Sequence, residues 1–370
     1  MSDVLILALN SKYIHSSLAP WYLKSAVDTL ALNCVVAEHT VNEDIEDVIA
    51  DILKISPKLL AISVYIWNVQ YTYKLIEKAK EKLPLIKIVL GGPEVSYNPR
   101  DVLLSCKADF VISGEGEQPF FSLCEHLFFG KALDRQGISY VKSGEISISQ
   151  PYIGAGTPKS PYTAEYFAAL KGRIAYFESS RGCPYSCAYC LSGRNEGLRF
   201  FDMEYVSDNL IKLANSGTKT VKFVDRTFNS NPSRANEILL FIKENYVAKI
   251  PNGVCFHFEI AGDILHPETL AILSQMPQRS VQLEIGMQSF NEETLKLINR
   301  KTDTQKLIKN IKTLLGFNNM HIHIDLIVGL TGEDLFSFKN SFNIGYNLHA
   351  HMLQMGFLKL LYGSDMRDHQ

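Results

Sequence analysis

Cys183, Cys187 and Cys190 lie in the run Glu178-Ser-Ser-Arg-Gly-Cys-Pro-Tyr-Ser-Cys-Ala-Tyr-Cys190. In a CxxxCxxC spacing, three thiolates can wrap three corners of a cubane iron–sulfur cluster. Four ligands would close such a cluster, and three leave one iron open to bind another molecule. Zinc is the competing occupant, but it takes four Cys or His ligands. None is near enough to complete a compact knuckle, because the next Cys or His after Cys190 is Cys255. Buried apolar thiols are the other reading, which Gly182, Pro184 and Ser186 do not suit. An iron–sulfur cluster is the expectation.

Further polar groups recur in the second half where strand-like runs end. They are Asp225-Arg226-Thr227, Glu259, Glu284-Ile-Gly-Met-Gln288-Ser289, Asp325 and Gly329-Leu-Thr-Gly332-Glu333, with Arg300 after the next helical pattern. Carboxylates, an amide and a guanidinium converging near the cysteine loop suit a zwitterionic ligand. Arg would take a carboxylate, and acids or amides would take an amine and ribose hydroxyls. Each carboxylate alone would be an ordinary salt bridge or cap; together they share one rim with the cysteines. The first third has its own set of loops: Asn10-Ser-Lys-Tyr-Ile-His15-Ser-Ser, Ser63-Val-Tyr65-Ile-Trp67-Asn68, Gly91-Gly92-Pro93-Glu94 and Ser113-Gly114-Glu115-Gly116-Glu117. Glycines admit a ligand close to the backbone, although Gly-Gly and Gly-Glu-Gly also make plain strand-to-helix turns. Four such loops on one edge predict a ligand crevice. None matches GxGxxG or the Walker P-loop, which argues against nucleotide binding there.

The elements that must carry these loops follow from periodicity. Val4–Leu9, Cys34–Glu38, Leu59–Tyr65, Ile86–Leu90 and Phe110–Ile112 read as strands alternating with helices at Leu18–Leu32, Asp44–Leu53, Tyr71–Leu83, Pro99–Ser105 and Pro119–Phe128. That rhythm implies a parallel sheet with helices on both faces, of flavodoxin-like (Rossmann-like) class, with its crevice at the strands' carboxyl ends. Between 131 and 172 a hairpin pattern, Gly137 to Ser149, precedes a Pro- and Gly-rich linker whose Tyr152, Tyr162, Tyr166 and Phe167 predict packing against a domain. From 173 to 370 six strands are expected: Ile174–Glu178, Thr220–Val224, Val254–Ile260, Val281–Ile285, His323–Val328 and Met355–Leu360. Six strand–helix units fall short of a full eight-fold barrel and suit an open (β/α)6 one, with its chemistry at the strands' C-terminal ends.

Composition sets the bounds. A chain of 370 residues with 46% apolar and 21% charged residues is an ordinary globular protein, long enough for two domains. A net charge of −2 offers no overall pull towards nucleic acid or anionic membrane. No apolar run is long enough to span a bilayer, and the N-terminus lacks a signal-peptide pattern. Seven cysteines, an odd number with three clustered, argue against a disulfide framework and for a reducing, cytoplasmic setting.

These motifs together resemble two families. Residues 1 to 130 resemble the cobalamin-binding domain that precedes many radical S-adenosylmethionine (SAM) enzymes, through Gly91-Gly92-Pro93-Glu94 and Gly114-Glu115-Gly116-Glu117-x-x-Phe120. The resemblance implies cobalamin contacts at Asn10, His15, Ser63, Tyr65, Trp67, Gly91, Gly92, Pro93, Gly114, Glu115 and Gly116. The DxHxxG that supplies an axial histidine in some cobalamin domains is absent, and His15 sits at a different spacing, which favours a loop hydrogen bond over cobalt ligation. The cysteine loop, with Tyr189 before its third cysteine, resembles the radical SAM superfamily. Ile285-Gly-Met-Gln288-Ser-Phe through Arg300, and Asp325-Leu-Ile-Val-Gly-Leu, resemble its branch related to oxygen-independent coproporphyrinogen oxidase. This implies a [4Fe–4S] cluster on Cys183, Cys187 and Cys190, and SAM contacts at Glu259, Gln288, Arg300 and Asp325, with Tyr189 and Asp225 added. The usual Gly-Gly-Glu after the second strand is replaced by Asp225-Arg-Thr-Phe, so the amine contact departs from the pattern.

The implied activity is reductive cleavage of SAM to a 5′-deoxyadenosyl radical, used for methyl transfer through cobalamin to an unactivated carbon. A one-electron donor such as flavodoxin or ferredoxin is the implied partner. Radical cyclisation or rearrangement without methylation is the alternative enzyme, and a non-catalytic cobalamin or redox sensor the alternative from another class. RNA methylthiotransfer fits less well, since Cys34, Cys106, Cys124 and Cys255 form no second three-cysteine motif. Members of the resembled class usually continue beyond the sixth strand, so a C-terminal truncation is expected.

Overall fold

The computed structural model describes residues 2–193 and 197–369. The chain divides into two compact units, one running to Ala169 and taking in Leu361–Gly363, the other comprising Leu170–Leu360 and Ser364–Gln370. In the first, β1 (Val4–Asn10), β2 (Cys34–Thr40), β3 (Leu59–Ser63), β4 (Lys87–Gly91) and β5 (Phe110–Ile112) run parallel. An antiparallel hairpin, β6 (Ile138–Lys142) and β7 (Glu145–Ser147), extends the sheet, whose order is β2-β1-β3-β4-β5-β6-β7. The five parallel strands therefore have the flavodoxin-like order, with the switch point between β1 and β3.

Both of those strands are buried along their whole length because helices cover both faces. Leu5, Leu7 and Leu9 pack with Ile52, Leu75 and Ile76 on one side, while Val4 and Ile6 pack with Phe120 and Leu123 on the other. Two-sided burial is why these strands appear in the sequence as continuous apolar runs. The hairpin turns on Ser143 and Gly144, both at positive φ (52° and 83°), the two-residue geometry that follows strand twist. It is the edge of this sheet, joined to β5, whereas the sequence pattern assigned it to a connector. Further along that connector, Tyr166 is buried edge-on to Trp21, with ring centroids 5.6 Å apart.

The second unit contains β8 (Ala175–Phe177), the short antiparallel pair β9 (Ser180–Arg181) and β10 (Arg199–Phe200), then β11 (Thr220–Phe223), β12 (Cys255–Ile260), β13 (Val281–Gln288), β14 (His321–Val328) and β15 (Met352–Phe357). Six of these form an all-parallel sheet in the order β8-β11-β12-β13-β14-β15, the expected open (β/α)6 arrangement. Residues on β13 alternate strictly between buried and half-buried. Val281, Leu283, Ile285 and Met287 are fully covered, whereas Gln282, Glu284, Gly286 and Gln288 share the opposite face. By the same period of two, Lys222 on β11, His257 and Glu259 on β12, and His323 and Asp325 on β14 belong to that polar face. No helix among the described residues is long and apolar enough to cross a membrane.

Candidate active site

The cysteine loop follows β9 and is held from several sides. Gly182 adopts φ 93°, and a Cβ there would lie 2.2 Å from the Gly197 carbonyl oxygen, so only glycine fits. Ala188 and Tyr189 pack against a small apolar cluster of Leu295, Ile298, Leu330 and Met366. The backbone of Ala188 donates to Ile298 O at 2.9 Å and accepts from Met366 N at 2.9 Å. Asn299 Nδ2 donates to Ser186 O at 2.9 Å and to Ser186 Oγ at 2.7 Å. Arg300 Nη1 lies 3.8 Å from Cys187 Sγ and 3.3 Å from Tyr189 OH, while Nη2 donates to Gly286 O at 2.7 Å. Three consecutive residues, Ile298 to Arg300, thus clamp the loop that carries the thiols. Cys187 is buried, which pushes its thiol up, against the pull of Arg300. Cys183 Sγ faces Thr227 Oγ1 at 3.5 Å.

Next to this loop lies a cavity of about 160 Å³ whose lining includes Tyr185, Thr227, Glu259, Gln288, Arg300 and Asp325. Thr227 and Arg300 line it and each touches a cysteine sulfur as well, so the cavity and the thiol loop form one site. A larger groove of about 740 Å³ shares Asp263 and Arg300 to Thr302 but none of the strand-borne acids, and the smaller cavity is where the chemistry-bearing groups meet. Gln288 reaches it through a bulge: the pairing of β13 with β14 shifts between Gly286 and Gln288, and Gln288 takes φ 66°. That backbone folds the Gln288 amide over Gly286, beside the Arg300 guanidinium.

Behind the rim the polar face carries a charged array. Lys222 Nζ lies 2.9 Å from Glu284 Oε2 and 3.4 Å from Glu259 Oε1. Burial opposes charge on Lys222, but Glu259 and Glu284 outweigh it, and its pKa is raised. Burial alone would push Glu284 up, yet His257, 2.9 Å away, and Lys222 hold it at about 2. His323 stands 3.1 Å from Asp325 and is raised by that contact. Asp225, in contrast, turns away from the cavity, accepting hydrogen bonds from Ser179 and Ser180.

Of the residues singled out for a zwitterionic ligand, the structure brings Glu259, Gln288, Arg300 and Asp325 to one cavity, with Tyr189 touching Arg300 from the loop side. Lys222, His257, His323 and Asn299 were not picked out from the sequence. The alternation Cys255-Phe-His-Phe-Glu259 and His321-Ile-His-Ile-Asp325 was the signal for two of the strands involved.

At the carboxyl ends of β1 and β3, Asn10, Ser63, Tyr65 and Trp67 flank the switch point, and Trp67 Nε1 donates to Leu9 O. Asn68 is 1% exposed and pins the switch point, donating to Leu9 O and Ser63 O and accepting from Tyr65 N. Trp67 stacks on Tyr65 at 4.3 Å and 8°, and is half exposed. Asn10 Nδ2 donates to Glu38 and to His15 O, so both it and His15 serve the loop's internal bonding. Two of the glycine positions are taken up by packing within the unit. A Cβ on Gly92 would lie 2.5 Å from Val64 O, and one on Gly114 would lie 2.2 Å from Tyr152 O. Gly91, Pro93, Glu115 and Gly116 flank these turns; Gly116 itself packs near Leu23.

Comparison with known proteins agrees with this division. Residues 4–123 match the B12 binding domain and residues 177–343 match the radical SAM superfamily. The 2-(S-pantetheinyl)-carbapenam-3-carboxylate methyltransferase of Streptantibioticus cattleyicolor is 26% identical over 335 residues, covering 80% of this chain and 45% of that protein. An uncharacterized methyltransferase of Pyrococcus horikoshii is 25% identical over 299 residues, covering 78% of this chain and 63% of that one. The chain thus spans about half to two-thirds of the length of these curated relatives. The fold is similar to that of TsrM, a radical S-adenosylmethionine methyltransferase from Kitasatospora setae, with a TM-score of 0.79 and 16% identity over 98% of this chain and 74% of that one.

Proposed function

We propose that this chain, which joins a B12 binding domain to a radical SAM domain and so belongs to the cobalamin-binding-domain-containing radical SAM proteins, is an enzyme that cleaves SAM reductively and transfers a methyl group to an unactivated carbon. The observation that carries the reading is the cavity that Thr227 and Arg300 share with the thiol loop, because it sets a zwitterion-binding rim beside three candidate cluster ligands.

The donor set suits a [4Fe–4S] cluster held by Cys183, Cys187 and Cys190: three thiols on one loop, with no fourth Cys or His ligand supplied by that loop. When bound, the cluster would supply the electron that breaks a carbon–sulfur bond of SAM, and cobalamin would supply the methyl carrier. The chain's own work is to bind, orient and shield. Arg300 Nε is buried with no hydrogen-bond partner among the described residues, a donor suited to a ligand carboxylate. Glu259, Gln288 and Asp325 offer acceptors for an amine and for hydroxyls, and the acids counter a sulfonium's charge. Their placement on strands of one sheet gives the ligand a single orientation.

In the first unit, the Tyr65–Trp67 stack at the switch point, with exposed Tyr13 and Ile14 on the loop after β1, offers an apolar platform that suits the flat face of a corrin ring. A reducing, cytoplasmic setting and a one-electron donor such as flavodoxin or ferredoxin complete the reading. All seven cysteines are free thiols.

The test is anaerobic reconstitution of the full chain with iron, sulfide, SAM and hydroxocobalamin under a strong reductant. Formation of 5′-deoxyadenosine is expected, and its loss in Cys183→Ala, Cys187→Ala and Cys190→Ala. Retention of the cluster's absorbance and of SAM cleavage in all three variants would overturn the assignment.

A further inference from the structure

The loop after β11 carries a carboxylate that the cavity does not use. Asp225 is 2% exposed, and it accepts from Ser179 N at 3.0 Å, from Ser179 Oγ at 2.7 Å and from Ser180 Oγ. All three donors are neutral, and no ion pair to Asp225 is formed among the described residues. Burial pushes this carboxyl up, against the pull of the serine hydrogen bonds. The Arg234 guanidinium feels this charge but closes no ion pair with it, and a buried carboxylate hydrogen-bonded only by neutral donors is costly, so its position calls for a role.

That role lies in what the serines carry. Ser180 begins β9, and Cys183 follows three residues later, after Gly182 at φ 93°. Two residues beyond Asp225, Thr227 Oγ1 faces Cys183 Sγ at 3.5 Å. The loop after β11 therefore holds the cysteine loop at two points, at its root through Asp225 and at its first thiol through Thr227. Without Asp225, the N–H of Ser179 would be buried and unpaired, and the root could move relative to the thiol's partner.

We propose that Asp225 is a positioning residue for the metal site, locking Ser179 and Ser180 to the end of β11 so that Cys183 meets Thr227, and that it makes no contact with SAM. The proposal rests on the cluster assignment above only for the identity of what is positioned. It also accounts for an acid standing where the resembled family has Gly-Gly-Glu: here the carboxylate is turned from the ligand to the loop.

The experiment compares the full chain with Asp225→Ala, Asp225→Asn and Ser180→Ala by three readouts. In metal-free protein, amide exchange over Ser179 to Gly182 should quicken on the order of tenfold in D225A, the effect of losing a hydrogen bond to a charged acceptor. After reconstitution, cluster absorbance should decay on the order of tenfold faster in D225A under an iron chelator. D225N should recover most of both losses, since an amide oxygen still accepts and its NH2 can donate to the serine hydroxyls. S180A should be intermediate. In the cluster-loaded fraction, SAM affinity should stay within about twofold of the parent's for every variant, well inside the effect of losing a direct ionic contact.

Parental exchange and cluster lifetime in D225A would overturn the proposal. So would equal weakening of SAM binding by D225A and D225N in cluster-loaded protein, which is the signature of a charged contact. If the parent chain assembles no cluster, the functional reading fails and the exchange measurement alone decides the role of Asp225. If D225A does not fold, S180A must still quicken exchange, and parental exchange in S180A would refute the idea.

Discussion

Replacing Gly286 by alanine tests whether the bulge on β13 exists to aim Gln288. A Cβ at 286 would lie 2.2 Å from Gln288 Nε2 and 3.6 Å from Arg300 Nη2. The first distance is impossible, but the obstructing atom is the tip of a flexible side chain, so the Gln288 amide moves and the backbone does not. Gly286 is not at positive φ, so alanine is conformationally tolerated. A strand Gly→Ala change is worth at most about 1 kcal/mol, here in the stabilising direction before the clash is relieved. Stability should therefore stay within about 1 kcal/mol of the parent. Ligand binding should not. A displaced amide forfeits a hydrogen bond to a charged ligand, about 1.5–3 kcal/mol, which is roughly 10- to 100-fold in affinity. Equilibrium dialysis with SAM on anaerobically reconstituted protein, alongside denaturant unfolding, reads both quantities. Parental SAM affinity in G286A would show that Gln288 is not a ligand contact. A collapse in stability would show that the bulge is structural.

Two further outcomes follow from the charged array and the aromatic stack. Lys222→Met leaves Glu259 and Glu284 without their shared ammonium and should cost on the order of 3 kcal/mol at neutral pH. Glu284 is depressed to about 2 from its ordinary 4.5, so the stability it contributes is present above about pH 4.5 and lost as pH falls through about 2. In K222M the folded-state value moves back towards 4.5, so that loss should be smaller and complete at higher pH, and an unchanged acid profile in urea titrations would contradict the pairing. Trp67→Ala removes a half-exposed ring stacked on Tyr65. It should leave folding nearly intact and weaken hydroxocobalamin binding roughly tenfold, the worth of an aromatic contact of about 1 kcal/mol plus its buried area. Spectrophotometric titration checks this, and parental affinity would move the corrin elsewhere.

The strands were legible because burial on one or both faces leaves a period that sequence displays. Their ends were less so, for reasons that differ by strand. The start of β14 was placed at His323, yet it begins at His321: a polar inner face makes His-Ile-His-Ile-Asp look unlike a buried strand. β13 continues through the bulge to Gln288, and a bulge breaks the alternation used to trace it. β15 begins at Met352 rather than Met355 because an exposed edge strand carries no burial signal. The two-residue strands β9 and β10 are too short for any period. At the crevice, the glycines could be read from sequence but not their cause. Gly92 is demanded by Val64 and Gly114 by Tyr152, contacts between residues far apart in the chain. Asp225 is the same case: its type and position suggested a ligand contact, and only the path of Ser179 and Ser180 turns it inward.

The polar face of the second sheet has a consequence for which acid meets a ligand. A closed eight-stranded barrel fills its interior with branched apolar side chains; here Lys222, His257, Glu259, Glu284, His323 and Asp325 occupy four adjacent strands. Most of the pairings cross strands, with Lys222 on β11 reaching Glu284 on β13, while His323 and Asp325 pair along β14, so the array is ordered before any ligand arrives. The pairings are unequal. Glu284 has both Lys222 and His257 at 2.9 Å, and Asp325 has His323 at 3.1 Å. Among the described residues Glu259 pairs with Lys222 alone, at 3.4 Å, and its side chain is the most accessible of the three acids, at 29% against 18% and 17%. An ammonium shared with a closer carboxylate neutralises Glu259 least. A cationic group entering from the rim therefore meets Glu259 as the most accessible of the three acids, with the Lys222 ammonium drawn closer to Glu284.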